Sequence, residues 1–146
     1  MIKLCSTKIS SIFTRANGIN TAEGRLRDQD PILHGHPIGT ALAQSFDTDF
    51  VQRCGDIVGE EMEHFGVHLW LAPALNIHRS IRCGRNFEYY SEDPLVSGKI
   101  AAAMTRGVQA HKGCGTTIKH YAANNKEYNR TRNNSMVSER AMREIT

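Results

Sequence analysis

Two stretches of this chain concentrate side chains that can hold a ligand carrying several hydroxyls. The first reads Cys83-Gly84-Arg85-Asn86-Phe87-Glu88-Tyr89-Tyr90-Ser91-Glu92-Asp93-Pro94. The second reads Lys119-His120-Tyr121-Ala122-Ala123-Asn124-Asn125-Lys126-Glu127-Tyr128-Asn129-Arg130. Together they supply Arg, Lys, His and Asn, which donate hydrogen bonds in several fixed directions, and carboxylates, which accept them. A sugar presents hydroxyls in fixed directions and needs such a mixture. Lys119 and His120 also close a strand-like run. A buried cation pair there is tolerable only beside a polar ligand or carboxylates.

The elements that must position these groups follow a simple order. Phe50, Val51, Cys54, Ile57, Val58, Met62 and Phe65 recur at spacings of three and four, which predicts one face of a helix. Asp47 caps its start and Gly66 ends it. The run Val67-His68-Leu69-Trp70-Leu71-Ala72, closed by Pro73, reads as a strand buried on both faces. A polar loop over 74–93 follows. Pro94 then opens a second helix, with Val96, Ile100, Ala103, Met104, Gly107 and Val108 as its apolar stripe. Thr116-Thr117-Ile118-Lys119-His120-Tyr121 reads as another strand, 122–136 as a second polar loop, and Ser138 as the cap of a third helix. Strands alternating with helices predict an α/β fold with parallel strands and right-handed crossovers. Both polar loops then lie at the C-terminal edge of the strands, where α/β barrels carry their sites.

Here the sequence resembles glycoside hydrolase family three, in its β-glucosidase and β-xylosidase branch. The resemblance rests on Gly84-Arg85-Asn86-Phe87-Glu88 with Ser91-Glu92-Asp93-Pro94, and on Lys119-His120-Tyr121-Ala122-Ala123-Asn124-Asn125 with Glu127 and Arg130. It extends to Leu69-Trp70-Leu71-Ala72-Pro73-Ala74-Leu75-Asn76-Ile77 and Val137-Ser138-Glu139-Arg140, and so covers about residues 37–145. The branch that cleaves N-acetylglucosamine follows its lysine–histidine pair with Phe-Pro-Gly-His, which this chain lacks. The resemblance implies that the fold is part of a (β/α) barrel of the TIM type. It also implies a retaining enzyme that hydrolyses terminal β-linked glucose or xylose. Arg85, Lys119, His120 and Arg130 fall on the family positions that bind the sugar's hydroxyls.

The family's nucleophilic aspartate and its acid/base lie well downstream of these motifs. The chain is therefore expected to contribute substrate-binding residues without a catalytic pair, and to be inactive alone. A closed eight-stranded barrel needs roughly 200 residues or more, and the chain has 146. About three strands are expected, with open edges that pair with missing barrel segments or with another copy. The family also holds its sugar with an early aspartate in an Asp-Gly-Pro motif. Ala22-Glu23-Gly24-Arg25-Leu26-Arg27 is a poor match, and Glu23 is not given that role. Residues 1–35 read as a poorly defined arm with at most a short helix near 9–15, and residues 36–146 as the partial barrel domain.

Plainer readings stand beside these. Arg85 can be a structural partner of Glu88 or Glu92, and Lys119 and His120 an ordinary strand-end pair. Arg130 can be a solvated loop charge, with Arg132 as a competitor. Glu92 and Asp93 are favoured as a helix-start signal, and Glu88 and Glu127 as partners of the cations. His34-Gly35-His36 lacks a third ligand and reads as a loop. The four cysteines stand far apart and read as reduced thiols. No cofactor is implied.

The net charge of +3 is too small to argue for nucleic acid or a membrane surface. No apolar run approaches a membrane span, and Met1 to Ala16 makes no convincing signal peptide, so a cytoplasmic location is expected. The rival readings are a non-catalytic truncated remnant, or a sugar-binding or assembly module. A small nucleotide or RNA binder is opposed by the absence of a Gly-x-Gly-x-x-Gly or Walker-type loop.

Overall fold

The computed structural model of the chain describes residues 36–146 and one short strand before them, Leu4–Cys5 (β1). The short helix expected near 9–15, Glu23, and His34-Gly35 lie outside the described residues.

The first helix of the domain, α1, spans Gly39–Gln44. It has no periodic signature, because its placement depends on contacts distant in sequence. Thr40 Oγ1 donates to the carbonyls of Tyr89 at 2.8 Å and Asn86 at 3.0 Å. A Cβ at Gly39 would lie 2.3 Å from the Glu88 carbonyl oxygen, so only glycine allows this approach.

The helix α2 spans Thr48–Phe65, as the periodicity predicts. The Asp47 carboxylate accepts from the amides of Asp49 and Phe50, both at 2.9 Å. Gly66 closes the helix in the left-handed region at φ 62°. The buried face is narrower than the expected stripe. Val51, Cys54, Val58 and Met62 are buried with Gly55 and Gly59, whereas Phe50 and Ile57 turn out onto its exposed flank.

The helix α3 spans Pro94–Gln109, with Pro94 in its first turn and Asp93 as cap. Asp93 Oδ1 accepts from the amides of Leu95 at 2.6 Å and Val96 at 3.2 Å. Asp93→Ala is therefore expected to cost about 1 kcal/mol, read as a lower urea midpoint.

The two helices pack through glycines. A Cβ on Gly55 would lie 2.4 Å from the Met104 carbonyl oxygen. One on Gly107 would lie 2.2 Å from the Gln52 carbonyl oxygen and 2.6 Å from the Asp56 amide. The main core gathers there, around Val51, Val58, Trp70, Ile100, Met104 and Val108.

The sheet has the order β1-β2-β3 and is parallel throughout, with β2 at Leu69–Trp70 and β3 at Gly115–Thr116. Leu4 pairs with Leu69, and Leu69 with Gly115. These strands are shorter than the expected runs over 67–72 and 116–121. The reason is a one-residue slip. Trp70 faces Thr116, but the next bridge joins Ala74 to Lys119, so the β2 side carries one extra residue in between. Pairing continues irregularly beyond the slip. The Lys119 amide donates to the Pro73 carbonyl at 3.0 Å, and the Leu75 amide donates to the Lys119 carbonyl at 2.7 Å.

The last helix, α4, spans Glu139–Glu144 and starts at Ser138, whose hydroxyl accepts from the Ala141 amide at 3.2 Å. Among the described residues no helix is long and apolar enough to cross a membrane.

Candidate functional site

The loop after β2 and the segment after β3 meet at the same end of the sheet, and asparagines join them. Buried Asn76 accepts at Oδ1 from the Asn124 amide at 2.8 Å, and its Nδ2 donates to the Asn124 carbonyl at 3.3 Å. Asn125 Nδ2 donates to the Ile77 carbonyl at 2.8 Å. The first loop is braced from within. His78 Nε2 lies 2.8 Å from the Asn86 carbonyl, and Asn86 Nδ2 donates to the Ser80 carbonyl at 2.7 Å. These bonds hold a 3-10 turn, Asn86–Glu88, that sets Arg85 and Glu88 on the same side as Lys119.

Glu88 sits at the centre of the cluster, 9% exposed. Its Oε1 accepts from Arg85 Nε, and its Oε2 lies 3.1 Å from Lys119 Nζ. Arg85 Nη1 lies 2.9 Å from His120 Nε2 and 3.7 Å from Glu127 Oε1. Glu127 in turn reaches Arg130 Nη1 at 3.2 Å and accepts from Asn124 Nδ2 at 2.8 Å. Of the four expected residues, Arg85 and Lys119 thus contact Glu88 directly, and His120 joins them through Arg85. Arg130 joins only through Glu127 and is largely solvated, with 59% of its side chain exposed.

The electrostatics follow from this packing. Burial alone would raise the Glu88 carboxyl. The hydrogen bond from Arg85 and the charge of Lys119 overcome that and hold it below the usual carboxylate range. Burial works against the Arg85 charge, but the Glu88 carboxylate raises its pKa all the same. His120 is lowered, by burial first and then by the charges of Arg85 and Lys119. The Tyr89 hydroxyl is pushed up to about 12 by burial.

The cluster offers a ligand both donors and acceptors. Arg85 Nη2 has no partner among the described residues, and the Arg85 and Lys119 side chains keep 21% and 25% of their surface. A small open cavity of about 40 Å³ adjoins Lys119 and Glu88, lined also by Pro73, Trp70, Gly39 and His36. Among the described residues no three His, Cys, Asp or Glu side chains group as metal ligands would.

Sequence reasoning passed over Tyr89, Asn76 and Asn124 as individual members of the site. Tyr89 is fully buried, and its hydroxyl contacts His120 Nδ1 at 3.0 Å and Asn124 Nδ2 at 2.8 Å. All three are neutral and lie inside the motifs quoted above, so only their polarity within buried text marked them. Asp93 proves to be a helix cap, as expected for it.

Residues 19–145 match the family model described as the glycosyl hydrolase family 3 N terminal domain. The chain is 52% identical over 109 residues to beta-glucosidase A of Butyrivibrio fibrisolvens, covering 75% of this chain and 13% of that protein. It is similar in structure to beta-glucosidase 3B of Thermotoga neapolitana in complex with glucose, with TM-score 0.76 and 46% identity, over 82% of this chain and 17% of that one. A beta-glucosidase of Streptomyces venezuelae in complex with D-glucose matches 99% of this chain and 16% of its own, with TM-score 0.79 and 35% identity. The chain therefore spans about one-seventh of the length of the relatives it matches.

Proposed function

The chain belongs to glycosyl hydrolase family 3, within its N-terminal domain, and from that we infer that it supplies part of the sugar-binding pocket of a β-glucosidase-type enzyme. The observation that carries this reading is that Arg85 and Lys119 meet on one buried carboxylate with His120 against Arg85, while Arg85 Nη2 has no partner among the described residues. Arg85, Lys119 and His120 bind hydroxyls of a terminal β-linked glucose or xylose. Arg130 closes the rim through Glu127.

Retaining hydrolysis needs a nucleophile and an acid/base about 5–5.5 Å apart. Glu88 and Glu127 are poor candidates for that pair. Glu88 is neutralised by two cations and held ionised, so it cannot protonate a leaving oxygen. Glu127 is engaged by Arg130 and Asn124 and stands near Arg85. The catalytic carboxyls are proposed to lie outside these 146 residues. The three short parallel strands are proposed to be part of a (β/α) barrel of the TIM type. Ile118, Tyr121, Tyr128 and Met136, all exposed after β3, suit an apolar face covered by its remaining segments.

The test is cleavage of nitrophenyl β-glucoside and β-xyloside by the chain alone and mixed with the downstream remainder of a family relative. Turnover only on mixing is expected, and turnover by the chain alone would assign the chemistry to Glu88 or Glu127 instead. Binding without turnover on mixing would favour a non-catalytic sugar-binding module. In a glucose titration followed by NMR, Arg85→Ala is expected to weaken binding about 10- to 100-fold, since hydrogen bonds to charged groups contribute about 1.5–3 kcal/mol.

A further inference from the structure

The two short contacts of the His120 ring select one protonation pattern, and the third, Asn124 Nδ2 at 3.5 Å from Nδ1, is too long to compete with them. A guanidinium donates and never accepts. Arg85 Nη1 lies 2.9 Å from His120 Nε2, so that nitrogen must offer its lone pair. The ring proton of neutral His120 is then on Nδ1, 3.0 Å from the Tyr89 hydroxyl oxygen.

The far side of Tyr89 is equally determined. Asn124 Nδ2 donates to Glu127 Oε1 at 2.8 Å, and an ionised carboxylate can only accept, so the amide orientation is fixed. The same Nδ2 then donates its second hydrogen to the Tyr89 oxygen at 2.8 Å. With the Nδ1 proton of His120, that oxygen accepts twice. Its own proton goes to the Asn124 carbonyl at 3.4 Å, which matches the two acceptor sites and one donor of a phenol. Protonating both ring nitrogens would set a donor against Arg85 and add a third positive charge beside Arg85 and Lys119.

We propose that Tyr89 is a positioning residue of the sugar pocket: held by Asn124, it acts with Arg85 to lock His120 as the neutral Nδ1–H tautomer, with Nε2 as an acceptor. The ligand class follows. A sugar hydroxyl that reaches His120 must take the Nε2 lone pair from Arg85 Nη1, and it then accepts from the displaced Arg85 or from Lys119. A ligand oxygen without a hydrogen, such as an ether or a carboxylate, cannot make that contact. The sugar part rests on the function proposed above, whereas the tautomer does not.

The test is a long-range proton–nitrogen correlation spectrum of the histidine rings in the isotope-labelled chain without sugar, with His120 assigned by the loss of its signals in His120→Gln. A protonated Nδ1 and an unprotonated Nε2 are expected at pH 7, persisting as pH falls through the usual histidine value of about 6.5. A protonated Nε2 at pH 7 would overturn the proposal whatever the chain binds. In Tyr89→Phe the Nδ1 proton loses its acceptor while Arg85 still faces Nε2, so a mixture of the two tautomers is expected in place of one. An unchanged tautomer in that variant would leave the assignment to Arg85 alone and remove Tyr89 from its role. The spectrum of the unaltered chain decides the tautomer even where the variant folds poorly.

Discussion

Gly107→Ala is expected to destabilise the chain by about 1–2 kcal/mol, although alanine is the better helix former. The propensity gain is about 1 kcal/mol. Against it stands a Cβ placed 2.2 Å from the Gln52 carbonyl oxygen and 2.6 Å from the Asp56 amide. Both are backbone atoms of α2, so no side chain can rotate away, and the two helices must separate. Overpacking of this kind costs about 1–3 kcal/mol and occasionally more, and here it also loosens Val51, Val58, Met104 and Val108. Gly98, on the same helix, is the internal control. Nothing lies within 4 Å of its built Cβ, so Gly98→Ala is expected to stabilise by about 0.5–1 kcal/mol. Urea midpoints of the two variants should move in opposite directions. A shift of both in the same direction would mean that the close helix approach does not govern α3.

Glu88→Gln is expected to cost about 2–4 kcal/mol near neutral pH. Removing one partner of a buried ion pair costs about 3–5 kcal/mol, because the other charge is left buried. The figure is discounted here, since Arg85 and Lys119 retain about a fifth to a quarter of their side-chain exposure. The pH dependence has a definite sign. The folded carboxyl is held below its ordinary value of about 4.3. Its contribution is fully present above that value and is lost as pH falls through the lower, folded one. The gap in stability between the original chain and the Glu88→Gln variant should therefore be widest near neutrality and close in acid. A gap independent of pH between about 7 and 3 would show that the amide loses packing rather than charge.

The helices were legible because their signals are local. Asp47 and Gly66 bracket α2, and Asp93 with Pro94 starts α3, each within one turn of the element it defines. The strands were legible in kind but not in length, since the slip between Trp70 and Ala74 arises from pairing with a segment more than forty residues away. The helix α1 left no trace, because Gly39 and Thr40 serve carbonyls of the Asn86–Glu88 turn and Tyr89 rather than a periodic face. In the site, ionisable groups announced themselves. Lys119 and His120 close a strand-like run, Arg85 stands in a loop rich in donors and carboxylates, and the structure brings the three together. Arg130 carried the same signal, yet solvent takes most of it. Tyr89, Asn76 and Asn124 carried only their polarity, because a neutral polar side chain becomes a site residue through contacts 31 to 48 residues distant.

That separation decides when the pocket can exist. Arg85 and Glu88 precede α3, and their partners Lys119 and His120 follow β3. The whole helix must therefore dock before either pair can close. Helices form from local bonds, whereas contacts that close long loops are made after the chain between them has been ordered. The pocket is thus a late product of folding. A compact intermediate with α2 and α3 formed but unseated would keep its helical circular dichroism and have no Arg85–Glu88–Lys119 cluster at all.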